Sequence, residues 1–111
     1  MTEVLKRELE RLRQTVPDNT VLLFKIGDGY CLYGANDCLV FSIATKMKVE
    51  RDYDGDWKAY LPCDLYRICI RKMNKLSNVA LCELGEPKSS GVCRWNATKI
   101  YKKTEKSKGG M

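Results

Sequence analysis

The chain opens on an amphipathic pattern. Val4, Leu5, Leu9, Leu12 and Val16 recur at a spacing near 3.6 residues, which predicts a helix over Thr2–Gln14. Glu3 and Arg7 stand four apart on it in the favourable order, and Pro17-Asp18-Asn19 stops it. The next apolar run, Val21–Ile26, is compact and holds a single Lys, as a strand buried on both faces does. Gly27-Asp28-Gly29 marks a turn. Tyr30–Tyr33 reads as the returning strand of a hairpin, which Gly34 interrupts. Ala35–Thr45 carries two patterns. Leu39, Ile43 and Ala44 fit a helix face with Asn36 or Asp37 as its cap, while Val40, Phe41 and Ile43 also suit a strand; the helix is favoured.

Lys46–Tyr53 and Trp57–Leu61 flank Asp54-Gly55-Asp56, a strong hairpin signal. Pro62 ends that strand ahead of a helix over about 63–76, with Asp64 near its positive end and Leu65, Cys69, Met73 and Leu76 on its apolar face. Arg67, Arg71 and Lys75 form one basic stripe on its other side, either a solvated face or a contact for phosphate or a partner. Val79–Leu84 reads as a strand, Glu86–Gly91 as a loop and Cys93–Tyr101 as a last strand, whole or partly ordered. The order is helix, hairpin, helix, hairpin, helix, strand, strand.

At 111 residues the chain is about one domain, expected over residues 1–101. No run of about 18 apolar residues exists to span a membrane. Met1–Gln14 is charged throughout, unlike a signal peptide, so a cytoplasmic protein is expected. Histidine is absent, which excludes Ser–His–Asp and Cys–His catalysis and His-ligated zinc. The six cysteines, Cys31, Cys38, Cys63, Cys69, Cys82 and Cys93, replace apolar residues inside hydrophobic stretches and never take Cys-x-x-Cys spacing. They read as free, mostly buried thiols in a reducing compartment.

The net charge is +6, but it is unevenly placed. From Lys99 onward five lysines stand against Glu105, leaving 15 basic and 13 acidic side chains in residues 1–98. The basic segment 102–111 reads as a disordered tail, able to screen or attract phosphates. No catalytic constellation is present. Gly27-Asp28-Gly29 is too short for a phosphate-binding glycine motif. Asp52, Asp54 and Asp56 lack the glycine and terminal glutamate of a calcium loop and read as a polar turn. Asn96-Ala97-Thr98 matches a glycosylation sequon, without meaning in a chain expected to have no secretory route. Neither enzyme activity nor a cofactor or metal is expected.

Two ordered blocks carry a family resemblance. Val21-Leu22-Leu23-Phe24-Lys25-Ile26-Gly27-Asp28-Gly29-Tyr30-Cys31-Leu32-Tyr33 resembles the opening of the mismatch-recognition domain of MutS, its domain I, where an apolar strand runs into Gly-Asp-Phe-Tyr-Glu-Leu-Phe. Ala59-Tyr60-Leu61-Pro62, the helix to Leu76, and Val79-Ala80-Leu81-Cys82-Glu83 resemble that family's Ala-Gly-Ile-Pro, its helix and its Val-Ala-Ile-Cys-Glu strand. Glu86-Pro87, the strand from Cys93 and the first helix continue the likeness, which covers roughly residues 5–102. It implies an α+β fold, a mixed β-sheet flanked by helices, and the order of elements agrees. It also implies contact with DNA, through the motif hairpin and nearby loops. The family's Phe wedges beside a mispaired base and its Glu hydrogen-bonds to that base. Here those positions are Gly29 and Cys31, so mismatch reading by that pair is expected to be lost. Tyr30 keeps its place and should face away from 29 and 31. The clamp, lever and ATPase of MutS have no counterpart in these residues.

The resulting expectation is a non-catalytic DNA-binding module that holds duplex DNA, including mismatched or distorted DNA, by backbone charge and shape. Gly29, Tyr30, Cys31, Lys46, Lys48 and Lys58 are its candidate contacts. The alternative is a protein-interaction module that keeps the fold without DNA binding. It would dock a partner or a second copy through an exposed Trp57 hairpin or the Arg67–Arg71–Lys75 stripe. Neither reading involves a membrane.

Overall fold

A computed structural model describes residues 3–85 and 94–104. The expected loop at 86–91, Cys93, the tail beyond Thr104 and the first two residues lie outside them. The elements are α1 (Glu3–Arg13), β1 (Thr20–Ile26), β2 (Gly29–Tyr33), α2 (Ala35–Thr45), β3 (Glu50–Arg51), β4 (Trp57–Pro62), a 3₁₀ turn (Cys63–Leu65), α3 (Tyr66–Met73), β5 (Asn78–Leu84) and β6 (Trp95–Tyr101). The six strands form one mixed sheet in the order β3-β4-β2-β1-β5-β6. Among the described residues, β1 and β5 are the one neighbouring pair that is parallel. That pair is the centre of the α+β fold, and its apolar runs Val21–Phe24 and Val79–Cys82 are buried on both faces.

Strand alternation sends the core to two sides. On the first face Val21, Leu23, Tyr30, Leu32, Ala59, Leu61, Val79 and Leu81 pack under Cys38 and Phe41 of α2 and Cys69, Ile70 and Met73 of α3. On the second face Leu22, Phe24, Ala80 and Cys82 pack under Leu9 and Leu12 of α1. The Phe24 ring meets Tyr33 and Trp95 edge-on at 5.6 and 5.1 Å. Six strands span about 24 Å across, while one helix is about 10 Å wide. The single helix α1 therefore lies over β1, β5 and β6 and leaves the β2-β4-β3 half of that face without a helix among the described residues.

Four expectations are corrected. Neither Asn36 nor Asp37 caps α2; Gly34 does, at φ +97°, where a glycine is needed. Asp37 instead turns inward, because β1–β2 pairing stops at Phe24–Cys31 and leaves the Leu22 N–H without a strand partner. The Asp37 carboxylate accepts that N–H at 3.1 Å and pairs with Arg13 at 2.9 Å. Second, α3 spans only Tyr66–Met73, behind a 3₁₀ turn, with Leu65 and Leu76 exposed and Ile70 buried instead. It stops where the Asn74 side chain donates to the Ser77 and Tyr101 carbonyls. Third, Lys46–Tyr53 is a strand only at Glu50–Arg51, since Lys46 closes α2 in the left-handed region (φ +64°). Fourth, Trp57 is half-buried against the core, with the Arg51 guanidinium 4.5 Å over its ring.

Candidate nucleic-acid interface

The Gly27-Asp28 turn reverses the chain so that Ile26 pairs with Gly29, and β2 then pairs with β4 on its other side. The register sets Cys31 against Tyr60, Tyr33 against Lys58, and Lys58 against Glu50 of β3. Cross-strand partners share a face. Gly29, Cys31, Tyr60 and Lys58 therefore stand together on the helix-free half of the second face, with Ile26 beside Gly29. Tyr30 points through the sheet, as alternation requires. It is buried, its ring 5.5 Å from that of Tyr66, and burial pushes its phenol upward from the ordinary range.

Gly29 is a close-approach glycine. A Cβ there would lie 2.5 Å from the Leu61 carbonyl oxygen and 2.5 Å from the Tyr60 hydroxyl. The Tyr60 ring thus occupies the space in front of Gly29, and it is 47% exposed. Ile26 and Leu84, at the ends of β1 and β5, are also exposed on this face. The Cys31 thiol is half-buried, and burial pushes it upward, so it stays protonated at neutral pH and offers no anionic acceptor. Burial likewise pushes the Tyr33 phenol up to about 12. The patch is largely apolar, with Lys58 and its cross-strand partner Glu50 at its rim.

Lys46 and Lys48 lie elsewhere, on the connection from α2 to β3. They are exposed, while Met47 and Val49 between and after them pack on the first-face core. The structure thus gathers Gly29, Cys31 and Lys58, buries Tyr30 on the opposite face, and leaves Lys46 and Lys48 on the connection. Sequence reasoning missed Tyr60. Its signal was the two-strand register, which sets a large ring two residues from a glycine's partner Pro62.

The expected basic stripe divides. Arg67 and Arg71 line a groove against β6, while Lys75 lies beyond the helix and joins Lys72 in a separate depression beside α2. The Asp52, Asp54 and Asp56 carboxylates lie within 4.8 Å of one another. Asp52 accepts the Asp54 and Asp56 amides at 2.9 and 3.0 Å, which makes the cluster a hydrogen-bonded turn. Five cysteines among the described residues are free thiols; Cys38, Cys69 and Cys82 are buried, Cys31 is intermediate, and Cys63 is exposed on the 3₁₀ turn. No helix of the described residues is long and apolar enough to cross a membrane. No protein-family model matches the chain, and no curated protein is significantly similar to it.

Proposed function

We propose that the protein is a non-catalytic DNA-binding module of the MutS domain I type. It holds DNA by backbone charge and shape, and the base-specific reading by Phe and Glu is lost. One observation carries the reading. The family pattern places an aromatic at position 29 and a glycine at position 60, and this chain has Gly29 and Tyr60. A Cβ at 29 would meet the Leu61 carbonyl oxygen and the tip of the Tyr60 ring, so the Tyr60 ring fills part of the space an aromatic at 29 would need. Glycine and aromatic have exchanged strands, and a ring still stands on the patch. An exposed ring can stack on any base. Cys31 replaces the Glu that would have selected one, and a protonated thiol is a weak hydrogen-bonding group. Lys58 on the same face supplies a phosphate contact, while Lys46 and Lys48 lie off the patch on the α2–β3 connection.

The test is fluorescence anisotropy of matched, singly mismatched and single-stranded oligonucleotides across a salt series. Binding should weaken steeply with salt and differ little between matched and mismatched duplexes. Tyr60→Ala should weaken it by about tenfold, the scale of one lost base stack. Absence of binding to every oligonucleotide at low salt would overturn the proposal. It would favour the protein-interaction reading, for which the exposed Ile26, Tyr60 and Leu84 on one face are the supporting feature.

A further inference from the structure

On the first face, away from Tyr60, the helical layer ends one strand short of the sheet edge. Between α3 and β6 runs a groove of about 380 Å³ lined by Tyr66, Arg67, Ile70, Arg71, Lys99 and Tyr101. Three of these six side chains are cations, two are phenols and none is an acid. Arg67 and Arg71 stand one helical turn apart on the same side of α3. Lys99 faces them from the sheet.

Lys99 points into the groove because of a β-bulge. Cys82 pairs with Ala97 but Leu81 pairs with Lys99, so Thr98 is an extra residue on β6. Ala97 packs into the second-face cluster with α1, and strict alternation would have sent Lys99 there too. The bulge turns Lys99 and Tyr101 to the first face instead, where Tyr101 packs on the core. A regular strand would have put one cation fewer in the groove.

Two of the three cations also rest on aromatic rings. The Lys99 ammonium sits 4.9 Å from the centre of the Tyr101 ring, and the Arg67 guanidinium 5.8 Å from that of Tyr66. Arg67 Nε donates to the Tyr66 hydroxyl at 3.3 Å. The rings are anchored in turn. Tyr66 rests on buried Tyr30, and the Tyr101 carbonyl is bound by Asn74 at the end of α3. Two long side chains that would otherwise move freely are laid on opposite walls of one groove. Part of the ordering that a ligand would impose on these two side chains is thereby already in place.

From this geometry we infer that the α3–β6 groove is a binding site for a phosphate ester. Gathering three positive charges without a lining carboxylate is unfavourable until an anion enters. Two guanidiniums present forked donors that match phosphate oxygens, and the ammonium and phenols add single donors. The volume is that of a small-ligand cleft rather than of a duplex groove. A free nucleotide and the phosphates of a nucleic-acid strand share this chemistry. The site lies across the sheet from Tyr60 and does not depend on the DNA reading.

The test is amide and arginine side-chain NMR on the full chain at constant ionic strength. The titrants are inorganic phosphate, adenosine monophosphate, and one oligonucleotide with and without a 5′-phosphate. Saturable shifts should map to residues 66–71 and 99–101. Arg67→Gln and Arg71→Gln should each weaken binding by about tenfold, and Lys75→Gln, outside the groove, should not. Preference for the monophosphate or for the 5′-phosphorylated strand identifies a monoester. Equal response to both oligonucleotides identifies the diester backbone. Shifts that never saturate, that spread over the surface lysines, or that survive both Arg substitutions overturn the site. Tyr60→Ala should leave the phosphate titration unchanged even where it abolishes DNA binding, so the two proposals fail separately.

Discussion

Gly29→Ala should destabilise the protein although it adds one methyl group to a strand. The new Cβ would lie 2.5 Å from the Leu61 carbonyl oxygen, about 0.8 Å short of an ordinary C···O contact. The Tyr60 hydroxyl, also at 2.5 Å, can swing away with its ring. The Leu61 carbonyl cannot, because it belongs to the ladder that pairs Gly29 with Pro62 and Tyr30 with Leu61. Overpacking of this kind costs ~1–3 kcal/mol, and the smaller backbone entropy of unfolded Ala returns ~0.4–1 kcal/mol. A net loss of about 1–2 kcal/mol is expected, a sizeable part of a small domain's ~5–10 kcal/mol. Tyr60→Ala alone gives up about half a ring's burial, ~100 Å² or ~2.5 kcal/mol. In the double variant the ring half of the clash is gone, so the combined loss should fall short of the sum by about 1 kcal/mol. Urea unfolding followed by Trp57 and Trp95 fluorescence measures all three. A Gly29→Ala protein within about 0.5 kcal/mol of the parent, or a strictly additive pair, would refute the exchange argument. Tyr60→Gly beside Gly29→Phe removes only the ring contact; the Leu61 carbonyl must also shift before Cys31→Glu can be asked to restore mismatch preference.

Three other outcomes follow from particular residues. Burial pushes the Asp37 carboxyl above its ordinary range despite the Arg13 guanidinium and the Leu22 N–H, so the folded state holds that proton more tightly than the unfolded chain. Its ionisation lowers stability as pH rises from the ordinary carboxylate value through the raised one. Asp37→Asn should therefore gain on the parent as pH rises above the ordinary carboxylate value in urea unfolding; a constant difference would refute this. Burial pushes the Cys38 and Cys82 thiols up to about 12, whereas Cys63 is exposed. Mass spectrometry after brief alkylation should find Cys63 modified in the native protein and Cys38 and Cys82 only in denaturant. Lys46 sits at φ +64° as the left-handed cap of α2. Lys46→Gly should raise stability by about 1 kcal/mol in the same unfolding assay, and a loss would show that the lysine side chain stabilises the cap.

The strand runs were legible in the sequence because their signals are local. Val21–Phe24 and Val79–Cys82 are uniformly apolar, as strands covered on both faces must be, and Gly34 and Asp54-Gly55 break the chain where it turns. What escaped depends on partners distant along the chain. Asp37 has the composition of a helix cap, but the amide that draws it inward belongs to Leu22 and its counter-charge to Arg13. Leu65 and Leu76 continue the helical period of α3, yet the Asn74 side chain binds Tyr101, 27 residues on, and the helix stops. The bulge at Thr98 leaves no mark in a one-residue reading, because Lys99 is as acceptable on one face as on the other until Ala97 is known to pack on α1.

The Tyr60 patch and the α3–β6 groove arise from the same shortage of helices. A six-stranded sheet has two faces to cover, and the described residues hold three helices, none longer than 11 residues. Two of them pack side by side on the first face and reach as far as β5, so the groove opens where their layer ends, over β6. The third lies over β1 and β5 on the second face, so the open patch begins at β2. Tyr60 and the Arg67–Arg71–Lys99 set are thus presented by the edges of helical cover rather than by loops. Substitutions that change their chemistry leave the presenting frame in place. Loss of α1 packing, as by Leu12→Ala, should instead destabilise the whole domain by ~2–5 kcal/mol and lower the urea midpoint at which both sites disappear together, because Leu12 is one of the two α1 residues buried against the central strands.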